Sequence, residues 1–475
     1  MKLLTRDRSF YRRFISLMGT LILQNVVVLS VNLADNVMIG AYSETALSGV
    51  AAANQMQFIF QQIVLAVGDA LVAVSSQYWG QRRTAPIRQL SKGAMLVGLG
   101  SGAVFFAVLS LLPRQVIGLF CSTDAIITAG AEYLSLIRFT YLIYAVTAVL
   151  LAMLRSVETV RIAFISSVEA LVINCVLNYA LIGGHFGAPA LGVRGAAIGT
   201  LCARAAELVT VLIYVIFRDK KLGFSAEDIR HTDMTYVRDY AKTSFFFIIT
   251  GLMFGVSTAL QTVILGHMTD SAIAANSVAS TLFQLLKVGS VGAASAAAVI
   301  IGTTVGAGDD EKLHEYTKTL QVIFVMIGTL MSVSLFFLRD PILSLYSLSP
   351  ETLSLARSFI LVLCVTGFGT AYEFPTICGI IRGGGDTKFA FKNDLVSIWG
   401  IVLPLSLRVM CSLMSEPPSS VKRSVQVKSH GYIFLVYSLC VSVNSAQVPL
   451  TCFGSHSRSR PKPCCVISKD APSTV

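Results

Sequence analysis

Asp35 is an acid at the end of an apolar run that carries no charge as far back as Arg13. Asn25, Asn32 and Asn36 recur around it at helical spacing, so one helix carries a polar stripe that ends in a carboxylate. At mid-bilayer a carboxylate costs about 2.5–3.5 kcal/mol, and such a group faces a bundle interior or a wet cavity, where it can hold a proton or a cation. A second reading makes Asp35 a cap on the outer helix end, near the lipid headgroups. Asp69 raises a similar choice. It lies at seven-residue intervals with Gln55, Gln62 and Ser76, which reads as one polar helix face. Either it stands beside Asp35, where two carboxylates can share a proton, or it is a water-bonded structural acid. Lys287 and Glu373 lie deep in apolar runs and are expected to offset one another as an ion pair, the alternative being that Lys287 snorkels to the interface. Arg204 and Glu207, three residues apart, read as an intrahelical pair, and Glu169 as a structural acid.

No set of residues points to bond-making chemistry. His185, His231, His267 and His314 are far apart in or beside loops. The glycines in 183–199 and the Gly383-Gly384-Gly385 run lack the lysine-serine/threonine ending of a phosphate loop and suit close helix packing and tight turns instead. Of the ten cysteines, Cys121, Cys175, Cys202, Cys364 and Cys378 are scattered singly through apolar segments, and five follow Arg408. None has zinc-ligand spacing with histidine. The expectation is a protein that is not an enzyme and needs no cofactor.

The elements that must position these residues are membrane spans. Hydrophobic residues make up 54% and charged residues 13% of the 475 residues, against about 25% charged in soluble domains, and the mean hydropathy is +0.70. Apolar runs fall at about 14–39, 50–78, 93–113, 132–154, 162–183, 190–217, 243–266, 273–303, 319–338, 356–381 and 391–407, which makes about 11 spans in an all-α polytopic protein. Basic residues gather at the N-terminus and in the loops after even-numbered spans, among them Arg82, Arg83, Arg155, Arg161, Lys312 and Arg382. The positive-inside rule then places the N-terminus in the cytoplasm. The net charge of +11 is loop charge of this kind, so no nucleic-acid partner is expected.

The chain also repeats itself. Asp35-Asn-Val-Met-Ile-Gly-Ala-Tyr-Ser-Glu-Thr-Ala46 aligns with Gln261-Thr-Val-Ile-Leu-Gly-His-Met-Thr-Asp-Ser-Ala272 at a shift of 226 residues (261 − 35), which also pairs Gly80 with Gly306. Arg155 pairs with Arg382 at a shift of 227 (382 − 155). The copies share one orientation, so two six-helix lobes related by a pseudo-two-fold axis along the membrane normal are expected. The domains read as an N-terminal lobe at 1–217, a polar cytoplasmic connector at 218–242, a C-terminal lobe at 243–407 and an atypical tail at 408–475.

Four stretches of this frame look like one family: Asp35-Asn-Val-Met-Ile-Gly, Asn174-Cys-Val-Leu-Asn178-Tyr-Ala-Leu-Ile, Phe186-Gly-Ala-Pro-Ala-Leu-Gly-Val-Arg-Gly-Ala-Ala197, and Arg382-Gly-Gly-Gly-Asp386-Thr. Over about residues 10–405 the chain resembles the multidrug and toxic compound extrusion (MATE) transporters. The resemblance implies an antiporter of the plasma membrane that expels organic, often cationic compounds in exchange for Na⁺ or H⁺. It makes Asp35, Asn174 and Asn178 a cation-coupling set, with Na⁺ possible there; the helix-face patterns, not the resemblance, add Asn32 and Asp69 as candidate members of the site. Asn178 stands where some members carry an aspartate, and 245–266 lacks the glutamate that other members carry in span 7. Asp386 matches an acid that serves either coupling or lobe structure. The partners implied are small organic substrates and the bilayer, for a monomeric protein.

An antiporter of this kind predicts a cavity lined by aromatics and methionine, such as Met56, Phe58, Phe60 and Phe254. The alternative is a lipid-linked oligosaccharide flippase of similar architecture, which would need several cations in the cavity, with Lys287 the main candidate and Arg204 a weaker one. The tail holds a single apolar run, 432–443, too short to cross a membrane. It is therefore expected to be irregular, leaving the second lobe one helix short.

Overall fold

A computed structural model describes residues 4–404 apart from 122, 224–232, 267–269 and 345–348, together with Arg408. The expected tail therefore lies outside the described residues, as does the end of the span expected at 391–407. The protein is all-α. Among the described residues, ten helices are long and apolar enough to cross a membrane. The helices are α1 (Arg8–Tyr42), α2 (Glu44–Gly80), α3 (Ala85–Leu111), the short α4 (Pro113–Gly118), α5 (Asp124–Ser156), α6 (Arg161–Gly183), α7 (Val193–Ile213), α8 (Met234–Gly266), α9 (Asp270–Ala307), α10 (Asp310–Leu343), α11 (Pro350–Pro375) and α12 (Thr387–Asp394). Wider π turns extend α7 through Arg218, α11 through Ile381 and α12 through Val402.

The helices gather into two compact units. Of the described residues, those within 15–72 and 84–259 form one, and those within 1–14, 73–83 and from 260 onward form the other. In the first unit α5 packs on α3 and α7, and α6 on α7. Its core joins Val50, Phe60, Leu134, Tyr141 and Ala197, and Phe60 stacks obliquely on Tyr141 at 4.7 Å between ring centroids. The start of α8 belongs here because it is fastened here. Tyr240 Oη donates to the Val67 carbonyl at 2.8 Å, and Gly251 lies so close to the Gln62 carbonyl that a side chain there would approach it at 2.8 Å. The connector read at 218–242 is thus already helical from Met234. Ahead of 224–232, Arg88 donates to the Leu222 carbonyl at 2.6 Å and Lys221 to that of Val157 at 2.6 Å. Burial pushes the Lys221 ammonium below its usual range.

In the second unit α11 packs on α9 and α10, around Ala275, Leu335, Ala356 and Ile360. The N-terminal strap lies on α10. Thr5 N donates to Thr319 Oγ1 at 2.9 Å, and Tyr316 Oη donates to Asp7 Oδ2 at 2.6 Å, which holds the Asp7 carboxyl down at about 2. The end of α2 crosses the end of α9 at close quarters. A methyl group on Gly80 would fall on the Thr303 carbonyl, and one on Gly306 on the Gln77 carbonyl. Small residues let two backbones approach in this way. Gln77 and Thr303 are themselves 226 residues apart (303 − 77), so the crossing exchanges equivalent residues between the two copies of the repeat.

Candidate functional site

The site lies in the first unit, in a cavity of about 240 Å³ lined from five helices. From α1 it takes Val28, Val31, Asn32 and Asp35; from α2, Asn54, Gln57, Phe58 and Gln61; from α5, Tyr133. The α6 side contributes Ser167, Ala170 and Asn174, and α7 contributes Thr200, Ala203, Arg204 and Glu207. Asp35 is half-buried and heads a chain of hydrogen bonds. Asn178 Nδ2 donates to Asp35 Oδ1 at 2.5 Å and to Asn174 Oδ1 at 3.3 Å, and Asn174 Nδ2 donates to Thr200 Oγ1 at 3.3 Å. Both asparagines are fully buried.

The sequence around α6 and α7 makes this possible. Asn174 and Asn178 are one helical turn apart and so share a face. Opposite them α7 presents Gly195 and Gly199, four residues apart. A side chain on Gly199 would overlap Asn178 Oδ1, and one on Gly195 would sit 2.5 Å from the Leu181 carbonyl. The two glycines therefore let α7 close onto the amides. Gly184 and Gly192, with φ of 74° and 53°, turn the chain from α6 back into α7, conformations that suit glycine. Asn178 Oδ1 has no hydrogen-bond partner among the described residues. Together with Asp35, Asn174 Oδ1 and Thr200 Oγ1 it makes an oxygen-rich set with one formal charge, the donor chemistry of a hard monovalent cation or a proton.

A second charged group shares the wall. Arg204 Nη1 donates to Glu207 Oε2 at 2.8 Å, with side chains 17% and 6% exposed. The guanidinium carbon also lies 5.2 Å from the Tyr144 ring centroid, a cation–π contact. The pair is intrahelical as its spacing implied, and it also faces the cavity.

The other residues singled out from the sequence are placed elsewhere. Asp69 pairs with Arg155 at 2.7 Å and is absent from the cavity wall. Glu169 accepts a hydrogen bond from Thr210 Oγ1 at 2.7 Å, as a structural acid does. Lys287, Glu373 and Asp386 belong to the second unit. Lys287 Nζ lies 5.1 Å from the Phe374 ring centroid and within electrostatic reach of Glu373. Asp386 caps α12, its Oδ1 accepting from Phe389 N at 3.0 Å.

The aromatic lining needs correction. Phe58 lines the cavity, but Phe60 is 1% exposed in the core and Met56 packs against that core. Phe254 is 40% exposed and also lies off the cavity wall. The polar face of α2 that meets the cavity is Asn54, Gln57 and Gln61 instead of the residues seven apart. A seven-residue step drifts about 20° around a helix at each repeat, whereas steps of three and four stay on one face. That spacing was the available signal. For Tyr133, Ser167 and Thr200 there was none, because single hydroxyls are ordinary in apolar helices.

A many-helix membrane protein with a duplicated frame, and an acid–amide cluster in one copy, defines a polytopic transporter-type fold. The MatE family model matches residues 20–180 and 247–407, two segments offset by 227 residues (247 − 20). The chain belongs to the MatE family. Among curated relatives, the probable multidrug resistance protein NorM of Thermotoga maritima is 23% identical over 384 residues, covering 81% of this chain and 82% of that protein. The uncharacterized transporter YisQ of Bacillus subtilis is 22% identical, covering 78% and 82%. Among solved structures, a mutant of the Vibrio cholerae MATE transporter VcmN superposes with a TM-score of 0.83 at 15% identity, covering 95% of this chain and 98% of that one. The eukaryotic MATE transporter AtDTX14 gives 0.76 at 16% identity, covering 96% and 97%.

Proposed function

We propose that this protein is a secondary active antiporter that exports organic, often cationic compounds in exchange for Na⁺ or H⁺ by alternating access. The observation that carries the reading is Asp35 on the cavity wall, held through Asn178, Asn174 and Thr200. An acid there can hold a coupling ion and an organic cation in turn, and two ligands competing for one charge is the simplest form of exchange. The family relatives named for multidrug resistance support the substrate class. The basic loops support a plasma-membrane orientation with the N-terminus cytoplasmic. An oligosaccharide flippase would need several cations for a diphosphate. Among the described residues Arg204 is the one cation on this cavity wall, and Glu207 neutralises it.

The test is efflux of a panel of organic cations from a host stripped of its own pumps, with Na⁺ and pH varied separately. Wild type should lower accumulation in response to one of the two gradients. Asp35→Asn should insert at normal level and lose efflux by roughly tenfold or more, the scale of a coupling free energy between two ligands. Equal efflux by the two proteins, or none by wild type for any compound, overturns the reading.

A further inference from the structure

The cavity wall carries two acids and one base: Asp35, Glu207 and Arg204. The ion pair between Arg204 and Glu207 at 2.8 Å leaves the cavity with one net negative charge, on Asp35. Were Glu207 uncharged, the same guanidinium would be free to turn its field on Asp35, and in a low-dielectric wall that field is strong. The rest of the lining sets apolar side chains (Val28, Val31, Phe58, Tyr133, Ala170 and Ala203) beside five amides (Asn32, Asn54, Gln57, Gln61 and Asn174), more amides than the few polar groups of a pocket for a lipophilic drug. Ser167 lines it too, at 3% exposure, and its hydroxyl has no partner among the described residues. A buried hydroxyl without a partner costs free energy unless a ligand or water supplies one.

We infer that the cavity binds a compact organic monocation rich in hydrogen-bonding groups, with its charge at Asp35 and its donors and acceptors on the amides and Ser167, and that Glu207 is the positioning residue that keeps Arg204 from cancelling Asp35. This rests on the proposed cation-exporting function and narrows its substrate. A bulky lipophilic cation satisfies Asp35 but strands the amides, and a neutral polyol satisfies the amides but leaves the charge unmet. Both are rejected by the same wall.

The experiment measures dissociation constants for the purified full chain in detergent with three probes: glucamine, a polyhydroxylated primary amine; sorbitol, its neutral counterpart; and tetraphenylphosphonium, a lipophilic cation. Glucamine should bind, with sorbitol and tetraphenylphosphonium each weaker by roughly tenfold or more. Glu207→Gln should weaken glucamine by roughly tenfold or more. The double variant Arg204→Gln/Glu207→Gln, which restores one net negative charge, should regain most of that loss. Because a buried Arg204 left unpaired also destabilises the fold, thermal unfolding of each variant is recorded beside its dissociation constant: a positioning role shifts the constant of a folded Glu207→Gln, and a folding role shifts the melting alone. Should Glu207→Gln fail to elute as a single species, the double variant and the three probes still decide. Tetraphenylphosphonium binding as tightly as glucamine overturns the inference, as does a double variant no better than Glu207→Gln. If both cations bind and Asp35→Asn loses both equally, the inference falls while the exporter reading stands. If neither cation binds and Asp35→Asn changes nothing, the exporter reading falls with it.

Discussion

Arg155 and Arg382 hold equivalent places in the two copies of the repeat, yet each is held by an acid from a different place. Arg155 pairs with Asp69 on α2, whereas Arg382 pairs with Asp394 at the end of α12 at 2.6 Å. The position equivalent to Asp69 is Ser295 (69 + 226), and that equivalent to Asp394 is Ser167 (394 − 227). Each copy has kept the arginine and found its own counter-charge. The backbone shows the same habit. Arg82 and Glu158 adopt left-handed φ of 59° and 60°, and their equivalents Gly308 and Gly385 adopt 71° and 101°. Duplication has preserved turns and helix ends while side chains drifted, and the drift has freed one copy for a polar site. Asn174 in the first copy corresponds to Ile401 in the second, and Asp35 to Gln261.

The equivalence is tested most severely at the α2–α9 crossing. Gly80→Leu and Gly306→Leu should each abolish the folded, monodisperse fraction seen by size-exclusion chromatography, because both side chains would meet backbone that no rotamer can avoid. A well-folded Gly80→Leu beside a lost Gly306→Leu would break the symmetry of the contact.

The arginines should differ in a graded way. Arg382→Ala leaves Asp394, 15% exposed, without its partner, while Arg155→Ala leaves Asp69, 47% exposed. The first should cost about 3–5 kcal/mol, the scale of a broken buried pair, and the second about 1 kcal/mol or less, as for exposed pairs. Thermal unfolding of the two purified variants checks the order. A larger loss from Arg155→Ala would reverse it.

The smallest effect is at the turns. Arg82→Gly and Glu158→Gly should each stabilise by about 1 kcal/mol, since a side chain in the left-handed region is strained, and Gly308→Ala and Gly385→Ala should destabilise by a similar amount. Opposite signs in the two copies, read as melting shifts, would confirm that one backbone serves both. The same sign in both would break the comparison.

How much of this was legible beforehand depends on the kind of interaction. Period and polarity carried the spans, because a bilayer demands about 20 apolar residues per crossing. The two shifts of 226 and 227 carried the duplication. Asp35, Asn174 and Asn178 were visible as acids and amides out of place, and the hydrogen bonds join them. Asp69 stays open between two places in the sequence because its partner Arg155 is 86 residues away (155 − 69), with nothing local to mark it. Phe60 misled because an aromatic in a span looks alike whether it lines a cavity or packs a core. Glu207 was seen only as the partner of its own neighbour, since a wall assembled from five helices exists only after they meet.

The glycine crossing has one more consequence, for symmetry. Each α2-type end presents a notch and a carbonyl ridge, and its equivalent presents the same two features in return. Such a surface is self-complementary, the property of an interface between identical subunits related by a two-fold axis. Within one chain, the crossing thus has the form of a contact between two like subunits, so a substitution at one glycine has its counterpart at the other.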